Sequence, residues 1–391
     1  MADIVRRNQA MLLPAEKQQF IQAVLELKRR SLYDQYTSVH AQAPENYHQM
    51  PRFLPWHRIF IARLEAGLRQ VAGASITLPY WDWTVDRDPS ASIWSDIFMG
   101  GNGRTGDGMV TSGPFAGADR WRCIDPDPSV PPYLRRQFGL NPNARALPTA
   151  ADVDECLRHT PYDSPPWNGD SDPSFRNSLE GQIAPFIHNI VHRWVGGSMD
   201  RPSAPNDPLF FLHHCNIDRI WAQWQQQHST QGYRPNGDGP PGQNPGDLMP
   251  PFDNVRVGAG LDHRQLGYVY DTENPTAQGD RMLPGDTLRT NDAIYSPNSQ
   301  YRLIYQGDGN LVLYRVSPFT PVWASGKMHT PGMCVMQMNG DLVVYDSGGH
   351  QVWNLGFTGR GNRLYVTNSG TVQLVNLAGN VVWHSPQAVM A

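Results

Sequence analysis

The chain has 391 residues, 39% of them apolar and 17% charged, with a formal net charge of −4. That length holds two folded domains with separate cores, and the charge gives no basis for attraction to nucleic acid. No stretch approaches the roughly 18 consecutive apolar residues of a membrane-spanning helix, so no membrane partner is expected. The opening Met1-Ala2-Asp3-Ile4-Val5-Arg6-Arg7-Asn8 lacks the apolar core of a secretory signal. A cytoplasmic location is therefore expected, export by another route aside. Cys123 and Cys156 flank a Pro-rich insertion and could be bonded. The alternative is that these two, Cys215 and Cys334 are all reduced, buried thiols.

In chain order, residues 15–40 carry Phe20, Val24, Leu27 and Leu32 at near-helical spacing, which predicts one long helix. A second is predicted from about Trp56 to Val71, with Ile59, Ile61, Leu64 and Leu68 on its apolar face. Residues 99–180 are rich in Gly, Pro, Asp and Ser and read mostly as irregular loop. A third helix is predicted over about 183–195 and a fourth over about 213–227; residues 229–252 form a loop, and Leu261–Asp271 close the domain. Four helices that turn polar groups inward are an architecture in which bundle metal sites are built.

The composition changes near residue 280. Residues 281–391 hold only seven basic and five acidic side chains. Here Trp323, Trp353 and Trp383 recur every 30 residues, each after an alternating apolar stretch. Leu303–Tyr314, Val335–Tyr345 and Leu364–Val375 read as three copies of one unit, which predicts a pseudo-threefold β structure. The chain is thus expected to comprise residues 1–275 as a mainly α, four-helix-bundle domain with long loops. Residues 276–391 would be a linker and an all-β prism.

Six of the thirteen histidines stand where packing alone is a poor explanation. His188 and His192 lie four apart on a predicted helix, so their imidazoles leave one face a turn apart. His214 follows His213 on another helix, with Asp218 one turn later. His57 follows Phe53-Leu54-Pro55-Trp56, His48 precedes it by nine residues, and His40 ends the first helix. Each alone fits a satisfied structural histidine. Together, so many imidazole nitrogens in aromatic-rich sequence need a shared partner. A set without thiolate or carboxylate suits copper, zinc or nickel, and the affinity order favours copper. Two groups of three imply a metal pair rather than a single open zinc.

His48-Gln-Met-Pro-Arg-Phe-Leu-Pro-Trp-His57-Arg58 through Glu65 resembles the first copper signature of tyrosinases, catechol oxidases and haemocyanins. Asp207-Pro208-Leu-Phe210-Phe-Leu-His213-His214-Cys-Asn-Ile-Asp218 resembles the second. The similarity continues through Leu78-Pro-Tyr-Trp-Asp-Trp83, Phe175-Arg-Asn-Ser-Leu-Glu-Gly181, His188-Asn-Ile-Val-His-Arg193-Trp-Val-Gly-Gly197 and Gly267-Tyr-Val-Tyr-Asp271. It implies a dinuclear copper site, with His40, His48 and His57 on one ion and His188, His192 and His214 on the other. His213, Arg193 and Asp218 would stand behind these ligands. The gap of eight from His40 to His48 is shorter than in many members, and no cysteine lies near His48 to form the family's thioether.

The resemblance implies oxidation of a phenolic small molecule by O2, with copper supplied by a delivery protein. Glu180 and Asn189 match the glutamate and asparagine thought, in tyrosinases, to hold a base-like water. Their presence implies ortho-hydroxylation of monophenols as well as oxidation of o-diphenols to o-quinones. Catechol oxidation alone and O2 carriage are the competing readings. Arg201 stands at the family's gate position, either as a loop arginine or as a bidentate contact for carboxylated phenols.

In the tail, Gln306-Gly-Asp308-Gly-Asn310-Leu-Val312-Leu-Tyr314 resembles the mannose-binding motif of monocot bulb lectins. Gln337-Met-Asn339-Gly-Asp341-Leu-Val343-Val-Tyr345 exchanges acid and amide, and the third copy has Thr367, Ser369, Thr371, Gln373 and Val375. The resemblance implies a β-prism II fold with one intact carbohydrate site, one altered and one lost. A latent enzyme, with this region as a lid, is the further alternative.

Overall fold

The computed structural model describes residues 4–42, 47–73 and 76–386. Met1–Asp3, part of the opening segment considered above, and residues 43–46 between His40 and His48 lie outside the described residues. The chain divides into two compact units, Met1–Gln9 with Ala15–Tyr268, and Ala10–Pro14 with Val269–Ala391. No described helix is long and apolar enough to cross a membrane.

Among the described residues there are eight α-helices: α1 (Pro14–Arg29), α2 (Tyr33–Gln42), α3 (Phe53–Ala72), α4 (Gly117–Arg120), α5 (Ala150–Arg158), α6 (Phe175–Glu180), α7 (Ile187–Val195) and α8 (Leu209–Gln227). The helix expected over 15–40 is two. Leu32 N donates to Leu27 O (3.0 Å) and Ser31 N to Lys28 O (2.9 Å), with Ser31 at φ +57°. This is a Schellman ending built on serine rather than the usual glycine, and the Lys28–Asp34 ion pair spans the break. α3 starts a turn earlier than expected, because Pro55 lies in its first turn, where no backbone N–H is needed. The 99–180 stretch also contains more helix than expected. Thr149 and Asp152 form a reciprocal capping box that starts α5, and Ser174 Oγ accepts from Asn177 N to start α6.

The Cys123–Cys156 bond is absent: both thiols are free and buried. Cys123 has the charges of Lys28 and Asp207 nearby, whereas Cys156 lies on α5 beside Ser178. Burial pushes each thiol up to about 12, which keeps both protonated.

Helix α8 is buried from Leu209 to Ala222 without interruption, as expected of a helix at the centre of a layer. It packs on α3, and a network of charges joins the two. Arg58 of α3 donates Nε to Asp218 Oδ1 of α8 (2.5 Å), and its guanidinium lies over the Trp221 ring at 3.6 Å. Arg6 donates to Asp218 Oδ2 (3.3 Å) and to Glu65 Oε2 (2.9 Å) and stacks over Tyr268 at 3.4 Å. Tyr268 OH donates to Asp218 Oδ2 at 2.5 Å. Arg6 belongs to β1 (Ile4–Arg6), which pairs with β2 (Tyr268–Tyr270).

The second unit holds three four-stranded antiparallel sheets. Its strands are β3 (Arg281–Met282), β4 (Thr287–Arg289), β5 (Ala293–Tyr295), β6 (Tyr301–Tyr305), β7 (Leu311–Arg315), β8 (Thr320–Ala324), β9 (Pro331–Met336), β10 (Leu342–Asp346), β11 (Gln351–Asn354), β12 (Arg363–Val366), β13 (Val372–Val375) and β14 (Val381–His384). The sheet orders are β5-β6-β7-β8, β11-β10-β9-β4 and β14-β13-β12-β3. Each sequence repeat is therefore a hairpin followed by its tryptophan strand, completed by one strand from the lead-in segment. Trp323 lies 6.2 Å from Trp353 and 5.8 Å from Trp383, against a shared core that includes Leu303, Leu313, Met336, Val344, Leu364 and Leu374.

Asp218 faces two buried guanidinium groups and a phenol. Asp218→Ala should destabilise the fold by about 3–5 kcal/mol, because it strands buried positive charge. Denaturant midpoints at fixed metal content measure this; a loss under about 1 kcal/mol would mean the network is not what joins α3 to α8.

Candidate metal centre

The histidines singled out in the sequence meet in two groups. His40 from α2, His48 from the segment before α3 and His57 from α3 form one; His188 and His192 from α7 with His213 and His214 from α8 form the other. Within each group the candidate ligand atoms lie within 4.8 Å of one another. The groups adjoin, since the His57 and His214 rings stack at 4.3 Å with 12° between their planes.

Backbone carbonyls fix which nitrogen of four of these rings carries the proton. Nδ1 donates to Pro202 O in His40 (2.7 Å), to Phe53 O in His57 (2.8 Å) and to Met199 O in His192 (2.6 Å). His188 Nδ1 is shared between Glu180 O (3.2 Å) and Asn189 Oδ1 (3.0 Å). With the proton on Nδ1, each Nε2 presents a lone pair inward. The inward nitrogens nearly touch: His40 to His57 at 3.5 Å, His188 to His214 at 3.2 Å and His192 to His214 at 3.4 Å.

Burial pushes the pKa values of His40, His57, His188, His192 and His214 below the ordinary imidazole range, with neighbouring imidazoles adding to it in all but His192. Between His40 and His57, whose protons both lie on Nδ1, no proton relieves the lone-pair repulsion. Buried neutral imidazoles of this kind fit a soft or borderline divalent ion, and an all-nitrogen set suits copper.

His213 lies inside the second group, but its Nδ1 accepts from Trp83 Nε1 at 3.2 Å. That occupies one lone pair and places the proton on the other nitrogen. Phe53 and Phe210 wall the centre. Phe53 is 4.7 Å from His57 and 5.1 Å from His188; Phe210 is 4.1 Å from His214 and 4.8 Å from His40.

Glu180 ends α6 at 1% exposure. Its Oε1 accepts from Gln49 N (2.5 Å) and its Oε2 from Arg176 Nη1 (3.1 Å), while Arg176 is itself clamped by Asp163 (2.8 Å). Burial raises the Glu180 carboxyl to about 7, against the opposing pull of Arg176. The clamp by Arg176 was not anticipated from the sequence, although the i,i+4 spacing to Glu180 signals it. Asn189 is held by Nδ2 donating to Gly181 O at 3.1 Å.

Two other expectations meet a different environment. Arg193 is exposed, because one residue beyond His192 the helix has turned about 100° away. Arg201 is ion-paired with Asp125 (3.2 Å) and Asp127 (3.5 Å). Asp218 joins the charge network described above rather than the histidine groups.

In the β unit, Gln306 Nε2 donates to Tyr314 OH at 3.0 Å, and Asn310 Oδ1 accepts from Ser325 Oγ (2.8 Å) and Gly326 N (3.1 Å). The second copy repeats this with Gln337 donating to Tyr345 OH, and Asp341 accepting from Asn354 Nδ2 (2.7 Å) and Gly356 N (3.0 Å). In the third, the hydroxyls of Thr367, Ser369 and Thr371 bond one another at 2.8 Å.

Two histidine groups sharing one buried centre define a dinuclear metal protein. The common central domain of tyrosinase matches residues 30–227. Tyrosinase of Streptomyces glaucescens is 44% identical over 278 residues, covering 69% of this chain and 99% of the relative. Grixazone synthase of Streptomyces griseus is 40% identical over 310 residues, covering 68% and 99%. A polyphenol oxidase structure from Thermothelomyces thermophila aligns over 68% of this chain and 88% of its own, with TM-score 0.53 and 23% identity. The chain belongs to the tyrosinase family.

Gly181 sits at φ +105°, and a Cβ there would lie 2.8 Å from Asn189 Cβ. Gly267, at φ +85°, has nothing within 4 Å of the same point. Gly267→Ala should cost only the backbone strain, about 1–3 kcal/mol. Gly181→Ala should cost measurably more in equilibrium unfolding; equal losses would show that Asn189 yields freely.

Proposed function

We propose that the chain is a copper-dependent phenol oxidase, hydroxylating monophenols at the ortho position and oxidising o-diphenols to o-quinones with O2. The observation that carries this is two adjoining groups of buried imidazoles, in which His40, His57, His188 and His192 turn an unprotonated Nε2 inward. His40, His48 and His57 would hold one copper ion and His188, His192 and His214 the other, on the four-helix bundle of α2, α3, α7 and α8. Bound there, the copper pair supplies O2 binding and the electron transfers. His213 is left out of the ligand set because Trp83 already uses its Nδ1.

The protein's own part is to orient the phenol and manage its proton. A free phenol ionises near pH 10, so at neutral pH its proton must be taken up as it binds. Glu180 is fixed by Gln49 N and Arg176, and an ionised carboxylate keeps lone pairs beyond these two bonds. Together with Asn189 it is suited to hold a water that accepts the phenolic proton. Phe53 and Phe210, both fully buried, pack against the His57 and His214 rings and close those sides of the centre to bulk water. Arg201 has its charge committed to Asp125 and Asp127, so we assign it to fixing its loop rather than to binding carboxylated substrates.

We place the domain boundary at residues 275/276 and read the second unit as a β-prism. Its first motif copy, Gln306, Asp308, Asn310 and Tyr314, is proposed to bind a mannose-type carbohydrate. Gln306 Nε2 donates to Tyr314 OH, which brings an amide and a phenol of this copy together as polar groups able to meet sugar hydroxyls.

Glu180→Gln should lower monophenol hydroxylation about 100-fold while o-diphenol oxidation changes only severalfold. Parallel losses on both substrates would remove the proton-handling role. His57→Ala and His214→Ala should each reduce bound copper from two ions per chain to one by elemental analysis, and unchanged content would remove the ligand assignment. Arg201→Ala should shift the KM of carboxylated and neutral phenols alike; a shift confined to the carboxylated ones would restore a substrate contact.

A further inference from the structure

A cleft of about 640 Å³ in the β unit opens beside the second motif copy and is lined by Gln337, Asn339 and Tyr345 of that motif. Met333, Met336 and Met338 line the same cleft, together with the polar side chains of Asp271, Thr272 and Asn274. A volume of this size holds a ligand larger than one hexose. The lining thus combines hydroxyl and amide groups with polarisable thioethers.

The three repeats supply an internal comparison. Met333 pairs across the hairpin with Tyr345, whereas Arg302 pairs with Tyr314 and Arg363 with Val375 at the same register. Met338 follows the motif's Gln337, where the first copy has Gly307 after Gln306 and the third has Asn368 after Thr367. Only the second copy carries methionine at both positions. Neither is needed for the fold, since the other copies form the same hairpin without them. Met333 is 38% exposed, so its thioether is open to a ligand in the cleft.

We infer that the second motif copy binds an aryl glycoside, with the sugar on Gln337, Asn339 and Tyr345 and the aromatic aglycone against Met333 and Met338. Thioether sulfur meets aromatic rings favourably, and unbranched methionine adapts to rings of different shape. The exchange of acid and amide in this copy leaves the hairpin bonds intact, with Asp341 accepting the same kind of bonds as Asn310. This rests on the sugar-binding reading of the motif, and it adds a ligand class related to the phenols oxidised by the same chain.

Calorimetric titration of the full copper-loaded chain with methyl α-mannoside and 4-nitrophenyl α-mannoside tests the inference. Neither ligand has a free phenol, so neither competes as an oxidisable substrate. The aryl glycoside should bind about tenfold more tightly than the methyl glycoside. Met333→Arg with Met338→Gly, the residues of the first copy, should abolish that difference and leave methyl mannoside binding unchanged. The reciprocal graft, Arg302→Met with Gly307→Met, should confer an aryl preference on the first copy, and it stands independently should the first variant fold poorly. Equal affinity for both glycosides, or an aryl preference that survives the double substitution, would overturn the inference alone. Absence of binding by either glycoside would overturn the sugar reading beneath it.

Discussion

The structure turns on a repulsion that the fold itself creates. Carbonyl groups of Phe53, Pro202, Met199 and Glu180 take the Nδ1 protons of four imidazoles, so their Nε2 lone pairs are left pointing inward, those of His40 and His57 at each other. In water such rings would protonate or rotate. Here burial suppresses the imidazolium form and packing between Phe53 and Phe210 prevents rotation. The Nε2 atoms of His40 and His57, 3.5 Å apart with no proton between them, are part of a cation site prepared before the cation arrives.

Something must hold the two long helices together against this unfavourable centre. The answer lies next to the ligands in sequence. His57 is followed by Arg58 on α3, and His214 is followed one turn later by Asp218 on α8. The stacked rings of His57 and His214 therefore stand on the centre side of the same helix pair that Arg58 and Asp218 clamp. Arg6 and Tyr268, brought in by the chain ends of the unit, complete the charge balance. An ion pair buried this deeply contributes little net stability against an apolar substitute, but it fixes which helix turn faces which.

Much of this was legible in the sequence because helical spacing carries it. His188 and His192 at four apart, the turn from His214 to Asp218, and the clustering of aromatic residues around His57 are local patterns. The break at Ser31 was not legible, because a serine occupies the left-handed position that normally announces itself by glycine. Helices α5 and α6 were hidden within a stretch whose composition is that of a loop; their caps, Thr149 and Ser174, were the available signals. The free state of Cys123 and Cys156 depends on where two distant segments come to rest. The same is true of Arg201, whose acidic partners lie 76 and 74 residues earlier. Pairings over such separations are set by tertiary packing rather than by periodicity.

The proposed role of Glu180 runs through a water rather than by direct contact because of how its carboxylate is held. Its two oxygens are already engaged by Gln49 N and Arg176, and Arg176 is in turn locked to Asp163 and Asn168. A carboxylate so restrained cannot swing towards a substrate, but its direction is fixed to within the geometry of those bonds. Asn189, which shares the His188 Nδ1 proton with Glu180 O, is restrained by Gly181 on its other side. The residue pair is thus coupled to the same imidazole at its Nδ1. A shift in either would be felt as a rotation of His188, so proton handling and metal geometry cannot be altered independently at this point of the fold.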